Sequence, residues 1–321
     1  MKQVSKKEML LVALGGNALI RKGQVGTIEE QLENLKIPMA QIARLSRYYR
    51  IIITHGNAPQ VGNLLLQQES CNTVPKLPLE ILVAQTQGQM GYMLESTLDT
   101  ALMESGLNNT QDLVSLISYV VVDENDPAFQ NPSKPIGPAF SPRKAATLPY
   151  PTLKTAKGYR RVVASPKPLT IVEKREIRKL MDMGFLVICC GGGGIPVVRE
   201  GRLFCGVDAV IDKDLASARL AEEGEVDIFL IATDVPGAAL HYGRNHQQYL
   251  RTITVTEAHQ YGKEGHFPMG SMGPKVEAAM QFVQHTGKRA VITSLATIIE
   301  AVEEKAGTEI KAPAFSTPAP Q

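Results

Sequence analysis

Short runs of apolar residues alternate along this chain with longer stretches in which apolar positions recur every three to four residues. The runs at 9–14, 50–54, 113–122, 185–190, 227–233 and 289–293 predict β-strands, with a last short one near Glu309. The stretches at 28–46, 79–105, 170–183, 211–223 and 275–285 predict helices. In the last of these, Val276, Ala279, Met280 and Val283 share one face. Alternation of this kind is the mark of βα units, so the fold class is α/β with a largely parallel sheet.

The alternation breaks between 123 and 168, where Pro127, Pro132, Pro135, Pro138, Pro142, Pro149 and Pro151 crowd the chain. A loop this long inside a compact domain is normally functional. It reads as a small subdomain that leaves the main sheet and returns at Arg160-Arg161-Val162-Val163. The segment 312–321, with three prolines among small residues, reads as a disordered tail. At the other end, Lys2, Lys6 and Lys7 before the apolar run 9–14 imitate a secretory leader. Gly15-Gly16-Asn17 interrupts that run and Arg21 and Lys22 follow, so the reading is a first strand of a cytoplasmic protein. No run approaches the roughly 20 apolar residues that cross a bilayer.

Composition narrows the class. A length of 321 residues suits two domains or lobes, and 44% hydrophobic with 21% charged residues is globular. The formal charge of +2 lacks the basic footprint of a dedicated nucleic-acid binder, so any anionic ligand is held locally. The absence of tryptophan argues against a base-stacking platform. Cys71, Cys189, Cys190 and Cys205 form no CxxC and have no histidine at metal-ligand spacing; they read as reduced thiols, with no metal site among them. The adjacent pair Cys189-Cys190 follows an apolar run and reads as buried and inert, against the alternative of a redox switch.

Four motifs carry candidate chemistry. Strand 9–14 ends in Gly15-Gly16-Asn17, and strand 50–54 ends in His55-Gly56-Asn57-Ala58-Pro59. Glycine lets backbone N–H groups approach an anion, although it would equally make a tight turn. Two such corners should lie side by side at the carboxyl edge of a parallel sheet, where such folds bind ligands. His55, with no carboxylate nearby in sequence, reads as a structural histidine. The third motif, 207–217, sets Asp208, Asp212, Lys213 and Asp214 at the start of a helix. Asp208 is the candidate cap, and Asp212 and Asp214 suit the helix dipole. Lys213 opposes the dipole and so answers to an anion such as phosphate, with Asp212 positioning it. The fourth, Gly270-Ser271-Met272-Gly273-Pro274-Lys275, places proline at the expected first helical position and Lys275 at the helix entrance. A further glycine run, 191–194, fits a packing turn and an anion loop equally. The chain has no GxxxxGK[ST], no GxGxxG after its first strand, no HExxH and no GxSxG, which leaves phosphoryl transfer by backbone amides and lysines.

These motifs together resemble the carbamate kinases of the amino-acid kinase superfamily. The resemblance runs from about 11 to 310 through LGGNAL at 14–19, THGNAPQVG at 54–62, NPSKPIG at 131–137, RRVVASPKP at 160–168, GGGGIPV at 191–197, GVDAVIDKDLASA at 206–218 and GSMGPKVEAA at 270–279. It implies an open three-layer αβα sandwich with a mainly parallel central sheet, usually a homodimer. An N-terminal lobe, 1–205, would hold carbamate or carbamoyl phosphate through Gly15, Gly16, Asn17, Gly56 and Asn57, with the protruding subdomain about 123–168 covering the site with Lys134. A C-terminal lobe, 206–311, would bind ATP or ADP through Asp234, Tyr242, Gly270, Met272, Gly273 and Pro274. Lys213 and Lys275 would flank the transferring phosphoryl group and Asp212 would orient both. Many relatives in the superfamily carry a lysine just before the first Gly-Gly; here Ala13 and Leu14 stand there, which gives that duty to Lys213. Mg²⁺ would accompany the nucleotide, with few protein ligands. Two positions depart from the family's usual pattern. Ala58 replaces a glycine, a misfit if that corner needs positive φ, and Lys157 replaces an arginine, keeping charge but losing bidentate geometry. Two other readings share the fold: a kinase of another small carboxylate, and a non-catalytic nucleotide-binding regulatory protein.

Overall fold

The computed structural model describes residues 7–312 except 22, 109, 156, 157 and 269, so the Lys157 substitution and the tail 313–321 lie outside the described residues. Eight strands form the central sheet, in the order Thr252–Thr254, Thr308–Lys311, Arg289–Ser294, Ile228–Thr233, Met9–Leu14 (β1), Arg50–His55 (β2), Leu186–Ile188 and Leu113–Ser115. Every pairing is parallel except that of Arg289–Ser294 with Thr308–Lys311. β1 lies near the middle and is buried along its whole length. Its side chains alternate between faces: Leu10, Val12 and Leu14 join one core with Leu35, Met39 and Leu94, while Leu11 and Ala13 join the other with Phe229, Leu220 and Phe282. Two covered faces demand apolar residues at every position, which is why this strand is a continuous hydrophobic run rather than an alternating one.

Three helices frame the first half: Ile28–Leu45 (α1), Ala58–Glu69 (α2) and Leu79–Glu104 (α3). α1 starts with a reciprocal capping box between Thr27 and Glu30. α2, which periodicity alone did not reveal, begins directly after the second glycine corner with Pro59 in its first turn. Ala58 is therefore a helical residue, absent from the described positive-φ positions, and the expected strain there does not arise.

Several boundaries differ from the sequence pattern for identifiable reasons. The run 113–122 is two strands: Leu113–Ser115 edges the central sheet, and Tyr119–Val121 belongs to a second sheet ordered Leu203–Gly206, Ile195–Glu200, Tyr119–Val121, Thr170–Ile171. The chain changes sheet where Gln87 of α3 brackets Ser118, donating to its carbonyl at 3.1 Å and accepting from its N–H at 2.9 Å. The expected helix at 170–183 starts at Lys174, and helices Val255–Lys263 and Ile298–Val302 add to those expected. Among the described residues, no helix is long and apolar enough to cross a membrane.

The proline-rich excursion carries a three-stranded antiparallel sheet ordered Lys134–Phe140, Gly158–Val163, Thr152–Thr155. It docks on α2, where Gly62 and Gly137 meet backbone to backbone; a Cβ on Gly62 would sit 2.0 Å from the Gly137 Cα. Arg161 pairs with Glu69 of α2 at 2.6 Å while its guanidinium lies 4.2 Å from the Tyr150 ring centre, and Arg160 donates to the Gly137 carbonyl at 2.8 Å. Lys134 sits at the near end of this clamped sheet.

Gly62→Ala should push the excursion off α2 and lower stability by about 1–3 kcal/mol, the usual cost of overpacking. Gly88→Ala on α3, where a Cβ would meet nothing within 4 Å, should instead gain up to ~1 kcal/mol of helix propensity. Urea unfolding of the two variants checks the contact, and a Gly62→Ala midpoint at or above wild type would refute it.

Candidate active site

Parallel register places Leu14 opposite His55, so the two glycine corners stand side by side as the strand pattern predicted. Their roles divide. The Gly15 N–H donates to the Ala232 carbonyl at 2.8 Å, so it is committed to the sheet and is not offered to a ligand. Gly16, Gly56 and Asn57 line a cavity of about 160 Å³. The backbone of Asn17 continues the turn from Gly16; its side chain lies outside what is described.

A second cavity, about 330 Å³, adjoins the first and is lined by Asp234, Tyr242, Gly270, Met272 and Pro274, among others. Lys134, Asp212, Asp214 and Lys275 line both cavities. Tyr242 stands at the rim, 57% exposed. Gly273 is not brought into the site: its N–H donates to the Pro268 carbonyl at 2.9 Å and its Cα faces that backbone. The helix here is Met272–Thr286 with Ser271 before it, so Pro274 is its third residue and Lys275 projects from the first turn rather than the entrance.

Asp212, not the exposed Asp208, caps helix Lys213–Glu223: its Oδ1 accepts from the N–H groups of Asp214 at 2.8 Å and Leu215 at 3.3 Å. Its other oxygen pairs with Lys134 of the protruding sheet. The expectation that Asp212 orients Lys213 and Lys275 is thereby corrected. Asp214 does this, with Lys213 Nζ 2.5 Å from Oδ1 and Lys275 Nζ 3.0 Å from Oδ2. The helix cap decides the assignment. Because Asp212 turns back to close the helix end, the next acid along is the one that faces both lysines. The signal was present as Asp-Lys-Asp, but sequence cannot say which acid caps.

Electrostatics follow from burial. Burial lowers the Lys213 pKa, against the pull of Asp214 and with the help of the neighbouring Lys275 charge. For Lys275 burial pulls the same way but is outweighed by Asp214, so its pKa is raised. Burial alone would raise the Asp214 carboxyl, yet the two ammonium groups hold it far below the usual carboxylate range. Lys213 Nζ has Asp214 as its ion-pair partner and no other hydrogen-bond acceptor among the described residues, which leaves ammonium hydrogens for a ligand in a buried site. Such atoms are costly unless a ligand completes them.

The run 191–194 resolves chiefly as packing. A Cβ on Gly191 would lie 2.5 Å from His55 Nε2, and one on Gly192, at φ +68°, would lie 2.2 Å from the Asn57 amide. Only Gly192 of the four reaches the smaller cavity. The neighbouring thiol and burial keep Cys189 protonated, in keeping with a structural thiol. Among the described residues, no group of three or more His, Cys, Asp or Glu side chains could hold a metal ion.

His55 is fully enclosed, and burial lowers its pKa to about 4. The folded pKa lies below the unfolded value near 6.5, so the unfolded chain takes up the proton first. The stability contribution is complete above pH 6.5 and is lost as pH falls toward 4. Between pH 7 and pH 5 wild type should lose about 2 kcal/mol more stability than His55→Gln. Urea titrations at both pH values measure this, and equal losses would show that His55 is not held neutral by the fold.

Comparison with known proteins bears on the family and the fold. Residues 8–294 match the model of the amino acid kinase family. A carbamate kinase of Thermococcus kodakarensis is 47% identical over 311 residues, covering 94% of this chain and 98% of the relative. The structure of a carbamate kinase from Giardia lamblia bound to AMP-PNP superposes with a TM-score of 0.87 at 39% identity, over 95% of this chain and 99% of that one. The same enzyme bound to citric acid gives 0.90 at 38% identity, with the same coverage. The chain therefore belongs to the amino acid kinase family, among its carbamate kinases.

Proposed function

We propose that this protein catalyses reversible phosphoryl transfer between ATP and carbamate, so that ADP and carbamoyl phosphate give ATP and carbamate. The observation that carries this reading is the meeting of two cavities at Lys134, Asp212, Asp214 and Lys275. The smaller suits a small acid, the larger a nucleotide, and the transferring group would sit between them. Relatives named carbamate kinase across nearly the whole length support the substrate, and the AMP-PNP complex of the Giardia enzyme supports the nucleotide.

Carbamate is an anion at neutral pH, so its oxygen attacks the γ-phosphorus in line and needs no protein base. His55, buried and neutral, fits that absence. Lys213 and Lys275 stabilise charge on the transferring group, and Lys134 joins them from the protruding sheet; positioning and preorganised charge carry the catalysis. The carboxylates present fit a Mg²⁺ ion held mainly by phosphate oxygens and water. Both oxygens of Asp212 and of Asp214 are engaged by the protein, whereas Asp234 faces the larger cavity with no ion pair among the described residues and only Thr233 donating to it. Asp234 would hold the ion, whose contribution when bound is to neutralise phosphate charge.

In this reading 1–205 forms the carbamate lobe and 206–311 the nucleotide lobe of a cytoplasmic homodimer. Tyr92 on α3 and Ile117, two residues beyond the edge strand Leu113–Ser115, are exposed apolar side chains that a second copy would cover.

A coupled assay with ADP, carbamoyl phosphate and Mg²⁺ should show ATP formation. Nucleotide binding without turnover would favour a regulatory protein of this fold instead. Lys213→Ala and Lys275→Ala should each lower kcat on the order of 100-fold at a temperature where the thermal melt shows the variant still folded. A near-normal kcat in either variant removes that lysine from the catalytic set.

A further inference from the structure

Carbamate differs from acetate in one respect that a binding site can read: an NH₂ group, which donates hydrogen bonds, stands where acetate has a methyl. The smaller cavity must therefore offer an acceptor if it is to discriminate. The structure constrains where that acceptor lies.

The Thr86 hydroxyl, fully buried on α3, donates its single hydrogen to the Val83 carbonyl at 2.8 Å. With that hydrogen spent, Thr86 Oγ1 can only accept from its other neighbour. That neighbour is Asn57, whose Nδ2 lies 2.8 Å away. The chain of donors runs one way, from Asn57 to Thr86 to Val83, and so fixes which end of the Asn57 amide is oxygen. Gly192 lies beside the amide, where a Cβ would stand 2.2 Å from Nδ2 and 2.5 Å from Oδ1, so no residue larger than glycine fits there without moving it. Asn57 is 4% exposed and lines the cavity, and its Oδ1 accepts no hydrogen bond among the described residues. Oδ1 is also not among the fully enclosed unpartnered atoms, so a solvent-sized group can reach it, and the residue that carries it lines the smaller cavity.

We infer that Asn57 Oδ1 is the acceptor for the substrate's amino group and that Thr86 is the positioning residue that points it there, giving the site its preference for carbamoyl over acetyl substrates. The inference rests on the phosphoryl-transfer reading above and adds a basis for substrate choice. An acetyl group in the same place would bury the Asn57 carbonyl without a donor. Sites built to hydrogen-bond a substrate reject analogues that lack the donor far more strongly than apolar pockets reject a change of shape.

The test compares carbamoyl phosphate with acetyl phosphate as phosphoryl donors to ADP, in wild type and in variants at residue 86. Wild type should prefer carbamoyl phosphate in kcat/KM by at least about 100-fold. Thr86→Val, which is nearly isosteric but offers no acceptor, frees the amide to turn and should reduce that preference about tenfold or more, chiefly through a higher KM for carbamoyl phosphate. Thr86→Ser, which restores the hydroxyl, should bring the ratio back to within about threefold of wild type. Thr86→Ala gives the same readout should the valine variant not fold. A wild type that uses both donors equally, or a Thr86→Val variant with an unchanged ratio, overturns the inference. A Thr86→Ser variant as indiscriminate as Thr86→Val also overturns it, because the threonine would then matter only for packing. Wild type that forms ATP from neither donor is a different result: it refutes the proposed function itself.

Discussion

One buried carboxylate holds the site together. Asp214 stands between Lys213 and Lys275, two ammonium groups that would otherwise repel each other in a poorly solvated space. Burying either lysine without a counter-charge would cost several kcal/mol, and the group would neutralise rather than stay charged. The shared partner keeps both charged, and it also fixes how the helices Lys213–Glu223 and Met272–Thr286 meet. Their apolar faces, with Ala218, Ala279 and Phe282, pack beneath it. The smaller cavity is lined by Lys134, Lys213 and Lys275 and by Asp212 and Asp214, three cations to two anions. The excess positive charge is what a phosphoryl group would answer.

The same economy shapes the substrate corner. Asn57, His55 and Gly192 are fitted against one another, and no larger residue than glycine can stand at 191 or 192 without displacing them. Cys190 enters this turn at φ +50°, a conformation uncommon for a residue with a side chain, held by its N–H bond to the Ser118 hydroxyl at 3.1 Å. The corner is thus rigid because polar groups from β2, α3 and the 191–194 turn are locked together, while the apolar core merely carries it.

Much of this fold was legible in the sequence because hydrophobic period reports directly on burial. β1 and Ile228–Thr233 emerged as continuous runs, and α1 and α3 as long amphipathic stretches. What period could not show was where side chains intervene in the backbone. Gln87 splits the run 113–122 at Ser118, and nothing in that run's apolarity announces a partner 31 residues away. The site was legible as a set of residues and less so as a set of partnerships. Lys134, Lys213 and Lys275 converge as expected, yet the exchange of roles between Asp212 and Asp214 turns on which acid closes a helix end, a matter of one residue in register. Gly15 and Gly273, expected as ligand contacts, line neither cavity and give their N–H groups to carbonyls of the chain, since a glycine beside an anion and a glycine beside a carbonyl read alike in sequence.

The contact between Lys134 and Asp212 joins the protruding sheet to the cap of helix Lys213–Glu223. In the phosphoryl-transfer reading proposed above, a phosphoryl group between the two cavities would compete with this carboxylate for Lys134. Entry becomes a trade of partners, in which the sheet's attachment to the helix cap is loosened as its attachment to the ligand forms. A singly charged anion gains little from such a trade against an equal rival. A doubly charged phosphate gains more from the same exchange, because it brings two charges to the one it displaces.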